Sequence, residues 1–222
     1  MGIKQNLIDF LSTIPNTVLL VAVSKTKPIE DIQLAYDAGQ RVFGENKVQD
    51  LIAKAPQLTN KIDWHFIGHM QTNKVKFIAP FVKMIHAVES LKLLKEINKQ
   101  AKKNDRIIDC MLQFHIAKES TKFGLNIKEA EDILTNSELV NFKNVRLVGV
   151  MGMATYTDDT NQIRTEFRQL AEYMDVLKKK HFEKEAYFKE ISMGMSGDYK
   201  IAIEEGSTMI RIGTTIFGER NY

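Results

Sequence analysis

The sequence has little of several features that would place it in a class at once. It has one cysteine in 222 residues, Cys110, so no disulfide can form within the chain and a reducing compartment is expected. We interpret Cys110, in an apolar stretch, as a buried filler. No apolar run approaches the ~18–20 residues that span a bilayer. Charge of one sign is not in excess, because 31 Lys and Arg oppose 28 Asp and Glu, which argues against nucleic acid as the main partner.

The N-terminal segment lacks the features of a targeting signal. MGIKQNLIDFLSTI has apolar residues at helical spacing, without the long apolar core or small-residue cleavage site of a signal peptide. Asn6 stands where a myristoylation signal has Ser or Thr. We therefore expect a helix over residues 1–14 and a cytoplasmic protein. With four prolines and no Pro-, Gly- or Ser-rich linker, the chain is predicted to form a single domain over residues 1–222.

Eight short apolar runs rich in β-branched residues alternate with stretches of helical period. Among the helical stretches, Ile29, Ile32 and Tyr36 form one apolar stripe, and Phe167, Leu170, Met174 and Leu177 form another. Eight strands that are each followed by a helix predict a compact (β/α)8 TIM barrel, with an open doubly wound sheet as the alternative. The predicted strands are residues 17–24, the runs around Val42, His65 and Ile85, and residues 107–116, 145–153, 187–194 and 208–213.

The clearest predicted strand ends in two lysines. The segment VAVSKTKP, residues 21–28, presents Lys25 and Lys27 after a continuous apolar run. Barrel active sites gather at the C-terminal ends of strands, and a partly desolvated lysine has a lowered pKa that lets its neutral amine attack an aldehyde. Lysine pairs in loops are more often solvated surface, so this segment alone does not identify a site.

Two glycine-containing loops follow the seventh and eighth predicted strands. They are SMGMSG, residues 192–197, and RIGTT, residues 211–215. Glycine lets the backbone approach an anion, and N–H groups and Ser or Thr hydroxyls donate to it. Either loop could be a simple turn, but two on adjacent strands favour a phosphate site, which many barrels have at this position.

Arg211 lies two residues before Gly213, so strand alternation places both on one face of the eighth strand. A buried arginine needs an acceptor. The acceptor is either a core carboxylate, Glu190 or Glu45, or an atom of a ligand.

The histidines show no spacing typical of metal ligands, so no metal is predicted. His65, His86 and His115 lie on predicted strands and are interpreted as structural, although His65 could also line a pocket. His69 follows a glycine in a loop and is interpreted as a surface residue.

Five segments, in order along the chain, carry a family resemblance: AVSKTKP, FGENKVQ, WHFIGHMQTNK, GMSGD and GSTMIRIGTTIFGER. They resemble the signature blocks of the YggS/PROSC family of pyridoxal phosphate homeostasis proteins and cover essentially the whole chain. The resemblance implies a barrel similar to the N-terminal domain of bacterial alanine racemase. It also implies pyridoxal 5'-phosphate (PLP) as cofactor, with Lys25 as the Schiff-base lysine and Arg211 facing the pyridine nitrogen.

The same resemblance implies further cofactor contacts. Ser196, Gly213 and Thr214 would bind the phosphate group, and Asn46 in the FGEN block would lie near the cofactor. No residue is assigned a catalytic role.

Three functions remain open from the sequence. The first is a PLP carrier that stores, protects or delivers the cofactor to PLP-dependent apoenzymes without catalytic turnover. The second is an amino-acid racemase, for which Lys25 could serve one face of the substrate but no second acid or base is evident, since the chain reaches Tyr222 soon after the eighth strand. The third is a sugar-phosphate enzyme that uses Lys25 without PLP. We expect the carrier, as a monomer.

Overall fold

Eight parallel strands close into a barrel in the order of the sequence. The computed structural model describes residues 2–119 and 123–219. This closed barrel confirms the predicted (β/α)8 fold over the open sheet. The strands are β1 Leu19–Val23, β2 Val42–Glu45, β3 Asp63–Phe66, β4 Met84–Val88, β5 Ile108–Phe114, β6 Val145–Gly152, β7 Glu190–Ser192 and β8 Met209–Ile212.

Helices surround the barrel, and α1 packs against α2 and α9. No described helix has the length and apolar character needed to cross a membrane. The helices are α1 Ile3–Leu11, α2 Ile29–Asp37, α3 Val48–Lys54, α4 Val75–Ile78, α5 Leu91–Lys103, α6 Ile127–Leu134, α7 Thr160–His181, α8 Tyr199–Glu204 and α9 Thr214–Phe217, with 3-10 turns at Ala55–Gln57, Thr72–Lys74 and Ser137–Asn141.

Among the residues that the structure describes, buried apolar side chains form two separate cores. The larger core lies between the strands and the helices, where Ile32 of α2 and the predicted stripe of α7 are buried, as is Cys110. The smaller core fills the inside of the barrel, and its buried members are Val21, Val42, Met84, Ala87, Met111, Val148, Met151 and Met209. Alternate residues of each strand face inward. The inward-facing residues that follow the smaller core along the strands therefore lie at the C-terminal end of the barrel.

The first and seventh strands are shorter than predicted. A turn in which Val18 N donates to Pro15 O precedes β1. Before β7, the ring of Phe188 stacks on Phe182 with centroids 3.9 Å apart, which draws the chain toward the end of α7. After β7, Gly194 has φ 95°, a left-handed conformation that ends the extended path. His115, predicted on a strand, lies just after β5.

Candidate functional site

The five predicted loop residues lie at one edge of the barrel. Lys25 follows β1, Asn46 follows β2, Ser196 follows β7, and Gly213 and Thr214 follow β8. These strands are consecutive neighbours, because β7 pairs with β8, β8 with β1 and β1 with β2. The four loops therefore occupy one half of the C-terminal rim.

The loop after β1 distinguishes its two lysines. Lys27 Nζ donates to the carbonyl oxygens of Phe217, at 2.9 Å, and Glu219, at 2.7 Å, beyond the eighth strand. Lys25 is half-buried, and Thr26 between them has φ 64°, a left-handed conformation that is unusual for a β-branched residue. Lys27 thus ties this loop to the end of α9.

A buried ion pair supports the start of this loop. Glu45, at the end of β2, accepts from Ser24 Oγ at 2.7 Å and from Lys54 Nζ at 2.7 Å, and Lys54 Nζ also donates to Ser24 O at 2.9 Å. Burial raises the pKa of the Glu45 carboxyl, while Lys54 and Ser24 lower it in part. Oε2 of Glu45 is buried without a hydrogen-bond partner among the described residues. The residue immediately before Lys25 is therefore fixed through both its hydroxyl and its carbonyl group.

Arg211 points into the barrel from β8 and is 4% exposed. Its guanidinium donates to Ser192 O at 2.8 Å, to Ser192 Oγ at 2.6 Å and to Gly152 O at 3.1 Å. Burial lowers the pKa of Arg211 to about 10, with Asp198 opposing the shift, so the group remains a cation at neutral pH.

Neither core carboxylate considered from the sequence binds Arg211. Glu190 accepts from Thr208 Oγ1 at 2.7 Å, and Glu45 is engaged by Lys54 and Ser24. The interpretation of Arg211 as an ion pair with either of them is therefore wrong. Glu190 lies at the start of β7, and Glu45 is bonded to Lys54 at the end of α3. Arg211 is a buried cation hydrogen-bonded to neutral oxygens.

The loops after β7 and β8 have the close backbone packing that glycine permits. A Cβ built on Gly213 would lie 3.3 Å from Val23 O of β1, so these neighbouring strand ends are in tight contact. Arg211 N donates to Gly194 O at 2.9 Å, which joins the start of the β7 loop to β8. Ser196 is half-buried and Thr214 is exposed at the first position of α9.

Asn46 lies half-buried directly after β2. The loop after β3 crosses it closely, since a Cβ on Gly68 would lie 2.2 Å from Asn46 O. The backbone at Asn46 is thus in tight contact with the loop after β3.

The remaining histidines differ in their surroundings. His69 is half-exposed, as interpreted from the sequence, and its Nδ1 lies 3.0 Å from Glu89 Oε1 while its ring stacks on Phe123. His115 Nε2 lies 2.8 Å from Glu119 O. In the part of the chain that the structure describes, no group of three or more His, Cys, Asp or Glu residues could hold a metal ion.

The partners of Arg211 are residues that the sequence did not indicate as its neighbours. Ser192 Oγ lies 3.0 Å from His86 Nδ1, and His86 Nε2 lies 3.0 Å from His65 Nδ1. Burial lowers the pKa of His65 to about 3 and lowers that of His86 well below its ordinary value, so both rings are neutral. Strand alternation could have put each residue on an inner face, but the contact between β4 and β7 runs across the barrel and becomes visible only once the sheet closes.

The fold and this rim define the class of protein. Residues 2–221 match the family model described as alanine racemase, N-terminal domain, and the chain belongs to that family. The alanine racemase of Clostridium difficile superposes with a TM-score of 0.77 over 100% of this chain and 57% of its own, at 13% identity, which shows a shared fold.

More similar relatives define the branch within that class. The pyridoxal phosphate homeostasis protein of Aquifex aeolicus is 37% identical over 93% of this chain and 89% of its own length. The human protein of that name is 41% identical over 91% of this chain and 77% of its own. PipY of Synechococcus elongatus, solved with PLP bound, has a TM-score of 0.89 and 33% identity over 98% of this chain and 100% of its own. The chain is a member of the pyridoxal phosphate homeostasis protein family.

Proposed function

We propose that this chain binds PLP, holds it covalently through Lys25, and serves PLP homeostasis by storing, protecting or delivering the cofactor. The observation that carries the proposal is Arg211, a buried cation whose hydrogen bonds go to neutral oxygens of Ser192 and Gly152. A buried charge of this kind is suited to a ligand acceptor. The family relatives carry the name of the same function.

The rim residues fit the chemical groups of PLP. Lys25 offers an amine at the end of β1, and Arg211 offers N–H groups to a ring nitrogen from inside the barrel. Ser196, Gly213 and Thr214 offer hydroxyl and backbone donors to a phosphate group on the adjacent loops. When bound, PLP supplies an aldehyde that reacts with amines and a ring that withdraws electrons.

The guanidinium of Arg211 affects which reactions bound PLP could support. A guanidinium only donates hydrogen bonds, so it keeps a ring nitrogen unprotonated and the ring a weaker electron sink. This argues against transamination and is compatible with either a carrier or a racemase. We favour a carrier without catalytic turnover, because relatives named for homeostasis are 37% and 41% identical to the chain, whereas the racemase named above shares only its fold.

The site assignment is tested by reduction and peptide mapping. The purified chain is loaded with PLP, dialysed, examined for visible absorbance, reduced with borohydride and digested. We expect the label on Lys25 in the wild type and in the Lys27→Ala variant, and none in Lys25→Ala. A label on Lys27 would contradict the assignment. Loss of PLP on dialysis before reduction would instead favour the sugar-phosphate reaction.

A second experiment separates carrier from racemase. The loaded protein is incubated with single L-amino acids in deuterated water, and uptake of deuterium at the α-carbon is followed. A carrier gives none, while turnover would contradict the preference for a carrier. In parallel, a PLP-dependent apoenzyme is mixed with the loaded protein, and we expect recovery of its activity. The proposed carrier acts as a monomer in the cytoplasm.

A further inference from the structure

Four buried polar side chains form a line across the inside of the barrel, from β3 to β8. His65 Nδ1 and His86 Nε2 are 3.0 Å apart, His86 Nδ1 and Ser192 Oγ are 3.0 Å apart, and Arg211 donates to the same Oγ at 2.6 Å. None of the four residues is more than 4% exposed. Solvent therefore cannot take the place of a missing partner, and a proton on a group between two others in the line needs one of them as its acceptor.

The direction of the hydrogen bonds follows from what each group can do. Arg211 only donates, so Ser192 Oγ accepts from it. If His86 Nδ1 also donated to this oxygen, the hydroxyl proton of Ser192 would point at neither of its two partners, which is unfavourable for a buried group. The hydroxyl proton of Ser192 has an acceptor only when Ser192 donates to His86 Nδ1.

This choice fixes both histidine tautomers. With Nδ1 of His86 accepting, its ring proton is on Nε2 and is donated to Nδ1 of His65. The ring proton of His65 is then on its own Nε2. The line runs in one direction, from Arg211 through Ser192 and His86 to His65, and the cation at its start polarises every bond in it.

We propose that Ser192, His86 and His65 are positioning residues that fix the guanidinium of Arg211 for the ring nitrogen of PLP. The contact with PLP rests on the function proposed above, whereas the line itself belongs to the protein without ligand. Because the three supporting groups are neutral, they orient Arg211 without cancelling its charge. A carboxylate at their place would orient it equally well and would reduce its attraction for a ligand acceptor.

The tautomers provide the first test, on the full chain without PLP. Nitrogen NMR of protein labelled with ¹⁵N-histidine distinguishes protonated from unprotonated ring nitrogens at pH 7.5. We expect Nδ1 unprotonated and Nε2 protonated in both His65 and His86, and the Nδ1 signal of His86 should move in Ser192→Ala. A proton on Nδ1 of His86 would overturn the inference, whatever the outcome of PLP binding.

Ligand affinity provides the second test, with an analogue of PLP in which C–H replaces the ring nitrogen. Loss of one supporting hydrogen bond predicts about fivefold to tenfold weaker PLP binding in Ser192→Ala. Ser192→Thr, which keeps the hydroxyl, should restore most of the affinity. Binding of the analogue should change little in either variant, because it makes no contact with Arg211 through nitrogen. Equal weakening for both ligands would show a general packing role and contradict the proposal.

If wild-type protein takes up no PLP, the function proposed above fails, and the NMR experiment still decides the hydrogen-bond direction. Binding of PLP to Lys25 supports the proposed function. The positioning role is supported as well if the wild type and Ser192→Thr prefer PLP to the analogue and Ser192→Ala loses that preference. The two failures are therefore distinguishable.

Discussion

Thr26 has an unfavourable backbone conformation directly beside Lys25 of the candidate site. Its φ of 64° places a β-branched side chain in the left-handed region, which costs about 1–2 kcal/mol relative to the right-handed region. Such strain persists where the surroundings fix the chain on both sides, and here Ser24 is held by Glu45 while Lys27 is held by carbonyl groups beyond β8. The strain is located beside the lysine expected to bind the cofactor.

Thr26→Gly should therefore separate stability from binding. Glycine removes the strain but makes the unfolded chain more flexible, so we expect a gain in the free energy of unfolding of up to about 1 kcal/mol. PLP affinity should fall, because the loop that carries Lys25 becomes less ordered. Urea unfolding and PLP titration measure the two effects.

Asp105 provides the matched control for this substitution. It has φ 52° just after α5, at the opposite end of the barrel from the rim. Asp105→Gly should change stability by a similar small amount and leave PLP affinity unchanged. If both variants weaken PLP binding equally, Thr26 has no special relation to Lys25.

At the scale of elements, the end of β2 and the end of α3 are joined by the pair of Glu45 and Lys54. Their side chains are 0% and 12% exposed. Removing one partner of a buried pair leaves an uncompensated charge, and such changes cost about 3–5 kcal/mol. We expect a loss of this size in urea unfolding of Lys54→Met at neutral pH.

The pKa of Glu45 determines how that variant responds to pH. Burial already raises this pKa and Lys54 opposes the rise, so loss of Lys54 raises it further. A raised pKa in the folded state means that stability is present at low pH and is lost as pH rises through that pKa. Lys54→Met should thus regain stability relative to wild type as pH falls. Lys95→Met, which breaks an exposed pair with Glu138, should cost under about 1 kcal/mol; equal losses would contradict the role of burial.

Periodicity predicted the elements well where the apolar pattern is long and regular. The stripe of α7 is buried as predicted, because a long amphipathic helix leaves an unambiguous pattern. The ends of β1 and β7 were predicted less well, since a turn at Pro15 and the stacking of Phe188 on Phe182 decide them. Those are tertiary contacts, which a local pattern does not record.

At the scale of the molecule, the sequence named loop residues that the closed barrel brings to one half of its rim. Lys25 and the glycine-containing loops could be placed there because the carboxyl ends of parallel strands share one edge, whereas the family resemblance alone implied Asn46. The partners of Arg211 were not predictable in the same way. His86 and Ser192 belong to β4 and β7, which do not pair in the sheet, and their 3.0 Å contact arises only through closure.

The closed interior also governs how the whole molecule responds to acid. Burial lowers the pKa of His65 to about 3, with Lys83 contributing, and lowers that of His86 well below its ordinary value, with His65 and Arg211 contributing. A lowered pKa in the folded state means that stability is present above the unfolded value of 6.5 and is lost as pH falls.

Each of the two rings therefore takes up a proton on unfolding in acid. The loss approaches about 1.4 kcal/mol per pH unit for a ring that stays neutral in the folded state, so stability should fall between about pH 6.5 and pH 5. Urea unfolding across this interval measures it. His65→Leu should be less stable at pH 7.5 but should show about half the dependence on pH, because one of the two protons is no longer taken up. An unchanged slope in that variant would mean that other groups cause the acid sensitivity.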